Sequence, residues 1–214
     1  MKDKNLVWYA SFGSNINVDR FLCYIKGGKP ALSNDTERGC RDMTLPRSEK
    51  PFVMNHQLYF AKEAGRWNGG GVGFIDVVRD PAYRTYSNMY LVTREQFLDI
   101  VAQENGLDSF DMDFDEVMEK GAKVVQDSWY GNLLYLGDEG GYPVFTFTNP
   151  EPMAPDEVKK PSVEYLSTII TGLQKSAGLE EDEIVAYFMD VPGVKGTYTE
   201  QELRNVVRGD GSRV

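Results

Sequence analysis

The distribution of strand and helix patterns along the chain restricts its fold more than any other feature. Apolar runs typical of strands occur before residue 150, at residues 6–12, 54–61, 71–77, 88–92, 123–126, 132–136 and 144–148. Helical patterns predominate after it, over residues 162–177, from about residue 180 to 189, and after Thr199. Because the strands come before the helices rather than alternating with them, the sequence predicts an α+β domain.

The first helix is expected soon after the first strand. Positions 18, 21, 22 and 25 are apolar and have helical spacing, and two glycines at positions 27 and 28 end the pattern. Residues 29–50 show no clear period and predict a long loop. The glycine-rich residues 137–141 predict a hairpin turn between the last two strands.

A second helix is indicated by Thr93 and Gln96, which have the spacing of a capping box. Gly106 is expected to end this helix. The acidic residues 108–119 predict a solvated segment that ends as a short helix at Gly121.

No linker rich in Pro and Ser divides the chain. Residues 149–155 contain three prolines and predict a rigid turn into the helical part. We therefore predict a single domain over residues 1–195 and a C-terminal helical tail over residues 196–214.

The charge balance excludes some classes of function. The chain has 23 Lys and Arg against 33 Asp and Glu, a formal net charge of −10. Such an acidic chain is a poor nucleic-acid binder, because Lys and Arg supply most of the affinity for phosphate. No apolar run reaches the roughly 18 residues needed to span a membrane, and the N-terminal apolar stretch is too short for a signal peptide. We expect a cytoplasmic protein.

Histidine and cysteine are scarce. His56 is the single histidine, so a catalytic triad or a His-rich zinc site would depend on it; a histidine packed in the wall of the domain is the favoured interpretation. Cys23 and Cys40 have no metal-ligand spacing and do not make a disulfide framework. Residues 111–115 start like a calcium loop, but Glu116 stands where glycine is needed, so we reject that site.

Glu104 is the first candidate for chemistry. It follows Phe97 by seven residues, Ile100 by four and Val101 by three, which places it on the apolar face of the second helix. A carboxyl buried there has a raised pKa, as a general acid/base at neutral pH requires. In the alternative, Glu104 extends into solvent near the end of the helix.

The turn at Phe12, Gly13, Ser14 and Asn15 is the second candidate. A tight turn between a strand and a helix presents free backbone N–H groups and the positive end of the helix dipole, which together suit a carboxylate or phosphate. Ordinary helix capping by Ser14, Asn15 or Asn17 explains the same residues equally well. Neither a P-loop nor a nucleophile-elbow motif surrounds the turn.

Three motifs, in order, resemble the gamma-glutamylcyclotransferase-like family. Residues 8–15 resemble its Tyr-Gly-Ser-Asn signature, residues 102–106 the segment of its catalytic glutamate, and residues 161–165 a Pro-Ser-x-x-Tyr stretch whose tyrosine lines the pocket. The likeness runs from about residue 6 to residue 190. Phe12 replaces the signature tyrosine, so any role of that hydroxyl is absent or moved to another side chain, such as Tyr9.

The resemblance implies a small mixed β-barrel flanked by helices, with the active site in a cavity at one end. It also implies release of 5-oxoproline from a gamma-glutamyl amine, amino acid or peptide, without a cofactor or metal, with Glu104 as the general acid/base. The residues expected to bind the substrate are Phe12, Gly13, Ser14, Asn15 and Tyr165.

Two other functions stay open at this point. The same cavity could belong to a non-catalytic module that binds a small carboxylate, and the acidic residues 108–119 could contact another protein. The expected partner in the leading hypothesis is a small gamma-glutamyl molecule, with no nucleic acid and no membrane. The sequence specifies neither the leaving amine nor an oligomeric state.

Overall fold

A computed structural model describes residues 3–210 of the chain. The outer ends of the predicted domain and tail, residues 1–2 and 211–214, lie outside the described residues. The eight strands are β1 (Leu6–Ser11), β2 (Ser48–Met54), β3 (His56–Ala64), β4 (Gly70–Arg79), β5 (Thr85–Thr93), β6 (Ala122–Val124), β7 (Asn132–Glu139) and β8 (Tyr142–Thr148). The six α-helices are α1 (Val18–Lys26), α2 (Arg94–Glu104), α3 (Phe114–Lys120), α4 (Val163–Ala177), α5 (Glu181–Met189) and α6 (Glu200–Val207).

The strands form two sheets. Six of them make a mixed sheet in the order β2-β5-β1-β8-β7-β6, in which β1 pairs antiparallel with β5 and parallel with β8. β3 and β4 form a two-stranded antiparallel sheet, and the chain passes between the sheets at Asn55. The sheets also meet at Ile75, whose N–H donates to Thr148 Oγ1 at 3.1 Å while that hydroxyl donates to the Ile75 carbonyl at 2.7 Å.

The six-stranded sheet is covered on both faces, so its central strand β1 is buried at all six positions. Side chains of β1 alternate between the faces. Val7 and Tyr9 belong to the apolar cluster under α1 and α2. Trp8 and Ala10 belong to a larger cluster that includes α4 and the β3–β4 sheet.

One strand was missed by the sequence analysis. Residues 54–61 were expected as a single strand after a loop ending at residue 50, whereas β2 occupies Ser48–Met54 and β3 starts at His56. β2 is an edge strand, and its first residues are largely exposed and include Pro51. A proline and polar residues are tolerated at a sheet edge, which is why the segment has no strand-like apolar pattern.

The α+β class, with mixed strands flanked by helices, is confirmed. Within residues 3–210 the strands are hydrogen-bonded as two abutting sheets rather than as one continuous barrel. The predicted boundary at residue 195 stays a prediction, although Leu203 and Val206 of α6 pack into the larger core cluster. None of the helices described has the length and apolar composition needed to cross a bilayer.

His56 is a wall residue, as expected. It is 6% exposed, and its Nδ1 lies 2.8 Å from the Asp76 carbonyl oxygen. Burial lowers its pKa, so the ring is held neutral in the wall of the domain.

Candidate functional site

A cavity of about 600 Å³ opens at one end of the sheets. It lies where four segments converge: the turn after β1, the 3-10 turn at Gly65–Trp67, the end of α2 and the loop between β6 and β7. Polar and charged side chains share the wall with aromatic rings, as in many small-molecule sites.

Glu104, the last residue of α2, lies in the cavity wall and not in open solvent. The apolar face of α2 places it there, because Phe97, Ile100 and Val101 on the same face are 0% exposed in the core beneath. Thr93 fixes the start of this helix through a complete capping box with Gln96. The half-buried carboxyl accepts a hydrogen bond from Asn15 Nδ2 at 3.2 Å.

The surroundings of Glu104 favour its protonated form. Burial raises the pKa of this carboxyl, and this effect exceeds the opposing influence of the Arg20 and Arg66 guanidinium groups and a hydrogen bond with Tyr24. Glu37 adds a smaller effect that also raises it. A carboxyl with a raised pKa can both accept and return a proton near neutral pH.

The turn at residues 12–15 differs from its expected geometry. A short 3-10 turn, Ser14–Ile16, separates β1 from α1. α1 begins only at Val18 and is capped by Asn17, whose side chain accepts from the backbone N–H groups of Asp19 and Arg20. The expectation that the turn carries the positive end of the α1 dipole was therefore wrong, and the capping explanation holds for Asn17.

Tyr165 joins this turn to the β3–β4 sheet. Its hydroxyl accepts from the Gly73 N–H at 3.0 Å and from the Ser14 N–H. Burial raises the pKa of this phenol to about 12, so it stays protonated. A Cβ at Gly13 would lie 2.9 Å from the same hydroxyl, so the close approach requires glycine or a shift of the ring.

The side chain of Tyr9 brings a phenol hydroxyl to the cavity. Phe12 lies in the wall without a hydroxyl, but Tyr9 lines the same space, and its hydroxyl accepts from Asn15 Nδ2 at 3.5 Å. Burial, and then the nearby Glu104 carboxylate, raise the pKa of Tyr9. Tyr9, three residues earlier and in the apolar cluster on the other face of the sheet, thus offers the cavity the hydroxyl that Phe12 lacks.

An arginine–glutamate network in the wall was missed by the sequence analysis. Arg20 of α1 donates to Glu37 at 2.9 Å, and Arg66 donates to the same carboxylate oxygen at 3.1 Å. Both arginines lie 3.4 Å from the Tyr24 hydroxyl. The spacing of Arg20 and Tyr24, four residues apart beside buried Phe21, was a signal for a polar contact on α1.

Asn15 carries an unpartnered atom. The residue is 3% exposed and lines the cavity, and its Nδ2 contacts Glu104 and Tyr9. Its Oδ1 has no hydrogen-bond partner among the residues that the structure describes. Since buried polar atoms are nearly always satisfied, Oδ1 is suited to accept a hydrogen bond from a ligand donor.

Comparisons with known proteins identify the fold. No family model matches the chain. Histone deacetylase 5 of Arabidopsis thaliana is 34% identical over 197 residues, which is 85% of this chain; the chain spans 30% of that relative's length. A solved gamma-glutamyl cyclotransferase covers 95% of this chain and 99% of its own, with a TM-score of 0.51 and 12% identity.

An uncharacterized protein from Homo sapiens covers 95% of this chain at a TM-score of 0.48 and 14% identity, a weaker likeness. The likeness to the solved gamma-glutamyl cyclotransferase shows that the chain has the fold of that protein.

Proposed function

We propose that this protein is a gamma-glutamyl cyclotransferase: it releases 5-oxoproline from a gamma-glutamyl compound, with Glu104 as the general acid/base. The position of Glu104 carries the proposal, as a half-buried carboxyl with a raised pKa in the wall of a ligand-sized cavity. The fold is consistent with this activity. The deacetylase name belongs to the whole Arabidopsis protein, of which this chain matches less than a third.

The reaction needs only one proton carrier. The α-amine nitrogen of the gamma-glutamyl group attacks its own γ-carbonyl carbon, and a C–N bond closes a five-membered ring. The α-amine, bound as an ammonium ion, first gives a proton to ionised Glu104, which frees its lone pair for attack, and Glu104 delivers that proton to the leaving nitrogen as the bond to the γ-carbon breaks. The second proton that the attacking nitrogen loses follows the same route, so the leaving amine departs as an ammonium ion. The products are 5-oxoproline and a free amine, and no water is consumed.

Positioning supplies much of the acceleration, because an intramolecular ring closure requires a folded substrate. We place the substrate α-carboxylate against the turn at Gly13, Ser14 and Asn15. Arg20 adds positive charge there, since its Nε donates to Ser14 Oγ at 3.3 Å. Asn15 Oδ1 then accepts from the α-amine, while Asn15 Nδ2 holds the Glu104 carboxyl beside it.

Substitution of Glu104 tests this function. Purified wild-type protein, Glu104→Gln and Glu95→Gln are incubated with a panel of gamma-glutamyl compounds, and 5-oxoproline is measured. Glu104→Gln keeps the shape but not the proton carrier, so we expect its turnover to fall by about 10²–10⁴-fold. Glu95→Gln, an exposed change on the same helix, should retain wild-type turnover.

Two results would contradict the proposal. Turnover by Glu104→Gln equal to wild type would remove Glu104 from its role. A wild-type protein whose melting temperature rises with these compounds, but which forms no 5-oxoproline, would be a carboxylate-binding module instead.

A further inference from the structure

The loop between β6 and β7 is fixed beside the proposed proton carrier. Asn105 directly follows Glu104, and its Nδ2 donates to the Tyr130 carbonyl at 3.3 Å, while Ser128 donates to its Oδ1. The Tyr130 hydroxyl donates to the Gly73 carbonyl at 3.1 Å on the opposite wall. The loop is therefore a built part of the cavity.

Two exposed side chains alternate with these anchors. Asp127 and Trp129 both line the cavity, and Trp129 is 41% exposed. Within residues 3–210, Asp127 forms neither a salt bridge nor a side-chain hydrogen bond. A carboxylate and an indole face beside the same opening are the two groups that bind an ammonium ion well.

The charges of the side chains around the cavity also favour a positively charged ligand. With Glu104 protonated, the described side chains that line it carry three negative and two positive charges: Asp35, Glu63 and Asp127 against Arg20 and Arg66. The α-amine and α-carboxylate of a gamma-glutamyl group balance each other, so they leave this excess of negative charge uncompensated. A positively charged leaving group compensates it, and an anionic one adds to it.

The other acids at the opening already have partners. Asp35 accepts from Arg66 at 3.0 Å, and Glu63 pairs with Lys159 at 3.2 Å. Asp127 is thus the carboxylate available to a ligand. The unpartnered Oδ1 of buried Asn15 lies at the Glu104 end, where the proposed function assigns it to the substrate α-amine, so Asp127 at the opening is left for the leaving group.

We propose that the leaving group is an amine with a second, cationic nitrogen, and that Asp127 and Trp129 bind that cation at the opening. The substrate class is then gamma-glutamyl derivatives of diamines and similar cationic amines. This inference rests on the proposed function. The leaving nitrogen takes the proton carried by Glu104 when its bond to the γ-carbon breaks, and the distal ammonium stays intact.

Three amides of matched length test the inference. Each carries one gamma-glutamyl group, joined to 1,4-diaminobutane (cationic), n-pentylamine (neutral) or 5-aminopentanoate (anionic). At low ionic strength we expect kcat/KM to fall from the cationic to the neutral to the anionic amide, by about fivefold at each step. Asp127→Asn should lower kcat/KM for the cationic amide by about fivefold and leave the neutral one unchanged.

Two further variants separate local binding from general charge effects. Trp129→Leu should reduce the preference for the cationic over the neutral amide. Asp156→Asn, which makes the same change in net charge at an exposed site away from the cavity, should change neither rate constant.

Equal turnover of the cationic and neutral amides by the wild type would overturn the inference and leave the cyclotransferase proposal standing. An Asp127→Asn variant that slows all three amides equally would do the same. If the wild type releases 5-oxoproline from no gamma-glutamyl compound, the proposed function itself fails, and the inference fails with it.

Discussion

Glu37 and Glu181 each bind two arginines, Glu37 behind the cavity wall and Glu181 at the surface. Glu37 accepts from Arg20 at 2.9 Å and Arg66 at 3.1 Å, and its side chain is 5% exposed. Glu181 accepts from Arg204 in α6 and from Arg208 at the C-cap of α6, at 2.7 to 2.9 Å, but its side chain is 29% exposed. Each carboxylate thus binds two arginines, but Glu37 is buried and Glu181 is partly exposed to water.

The surroundings determine what each network does. At the surface, hydrogen bonds from Arg208 and Arg204 lower the pKa of Glu181 to about 2, yet water and salt screen such pairs, and they stabilise the fold little. In the cavity wall little water screens the charges, so Arg20 and Glu37 depend on each other and both influence Glu104. The buried network therefore belongs to the site, while the exposed one joins α5 to α6.

Removal of the buried carboxylate should have the largest effect on stability. Glu37→Gln leaves the guanidinium of Arg20, itself 4% exposed, without its anion, and loss of one partner of a buried pair costs about 3 kcal/mol or more. Urea unfolding of the variant and the wild type measures this loss. Glu181→Gln removes a surface carboxylate that also binds two arginines, through three hydrogen bonds, and an equal loss there would show that burial is not the deciding factor.

The pH dependence of activity should respond to the arginines that line the cavity and not to those of the surface network. Glu104 accepts a proton only when ionised, so kcat/KM should fall as the pH drops through its pKa, which lies above the ordinary 4.5. Arg66→Gln removes a positive charge that lowers this pKa, so the acidic limb should move to higher pH.

Arg208→Gln is the matched surface change. Its pH profile of kcat/KM should coincide with that of the wild type. A limb that stays in place or moves to lower pH in Arg66→Gln would mean that the charge of Arg66 does not lower the pKa of Glu104.

Raising the salt concentration should change the stability loss of the two variants differently, and this is the smallest of the expected effects. The loss of unfolding free energy in Glu181→Gln should shrink when the ionic strength is raised from 0.05 to about 0.5 M, because exposed pairs are screened beyond a few Å. The loss in Glu37→Gln should stay nearly constant over the same range. Parallel urea titrations at the two salt concentrations check this, and an identical salt response of both variants would contradict it.

Local sequence patterns were sufficient for much of the fold and for one side of the site. The apolar residues Phe97, Ile100 and Val101 define a helix face, and that spacing predicted the position of Glu104 in the wall. The start of α2 was equally local, because Thr93 caps it as the capping-box spacing indicated. The sequence also predicted the helix α4 over residues 162–177, where the structure has Ser162 as the N-cap. Each of these features depends on residues within two turns of each other.

The rest of the site depends on contacts between distant segments. Glu37 lies in the aperiodic loop, and an isolated bridge to Gly28 and its contacts with Arg20 and Arg66 place it behind the cavity wall. Arg20 was missed because a charged residue on an amphipathic helix normally faces solvent, and its burial requires that distant carboxylate. The 3-10 turn at Ser14–Ile16 has no local signal that distinguishes it from the start of α1.

A titration of Glu104 itself tests the proposed mechanism most directly. The side-chain carboxyl carbon is followed by NMR as the pH is varied, with Glu104→Gln used to assign its signal. Burial in the cavity wall should give a midpoint above the ordinary value of 4.5. A midpoint at or below 4.5 would mean that the carboxyl is solvated or held by the arginines as a permanent anion, and Glu104 could not then carry the proton.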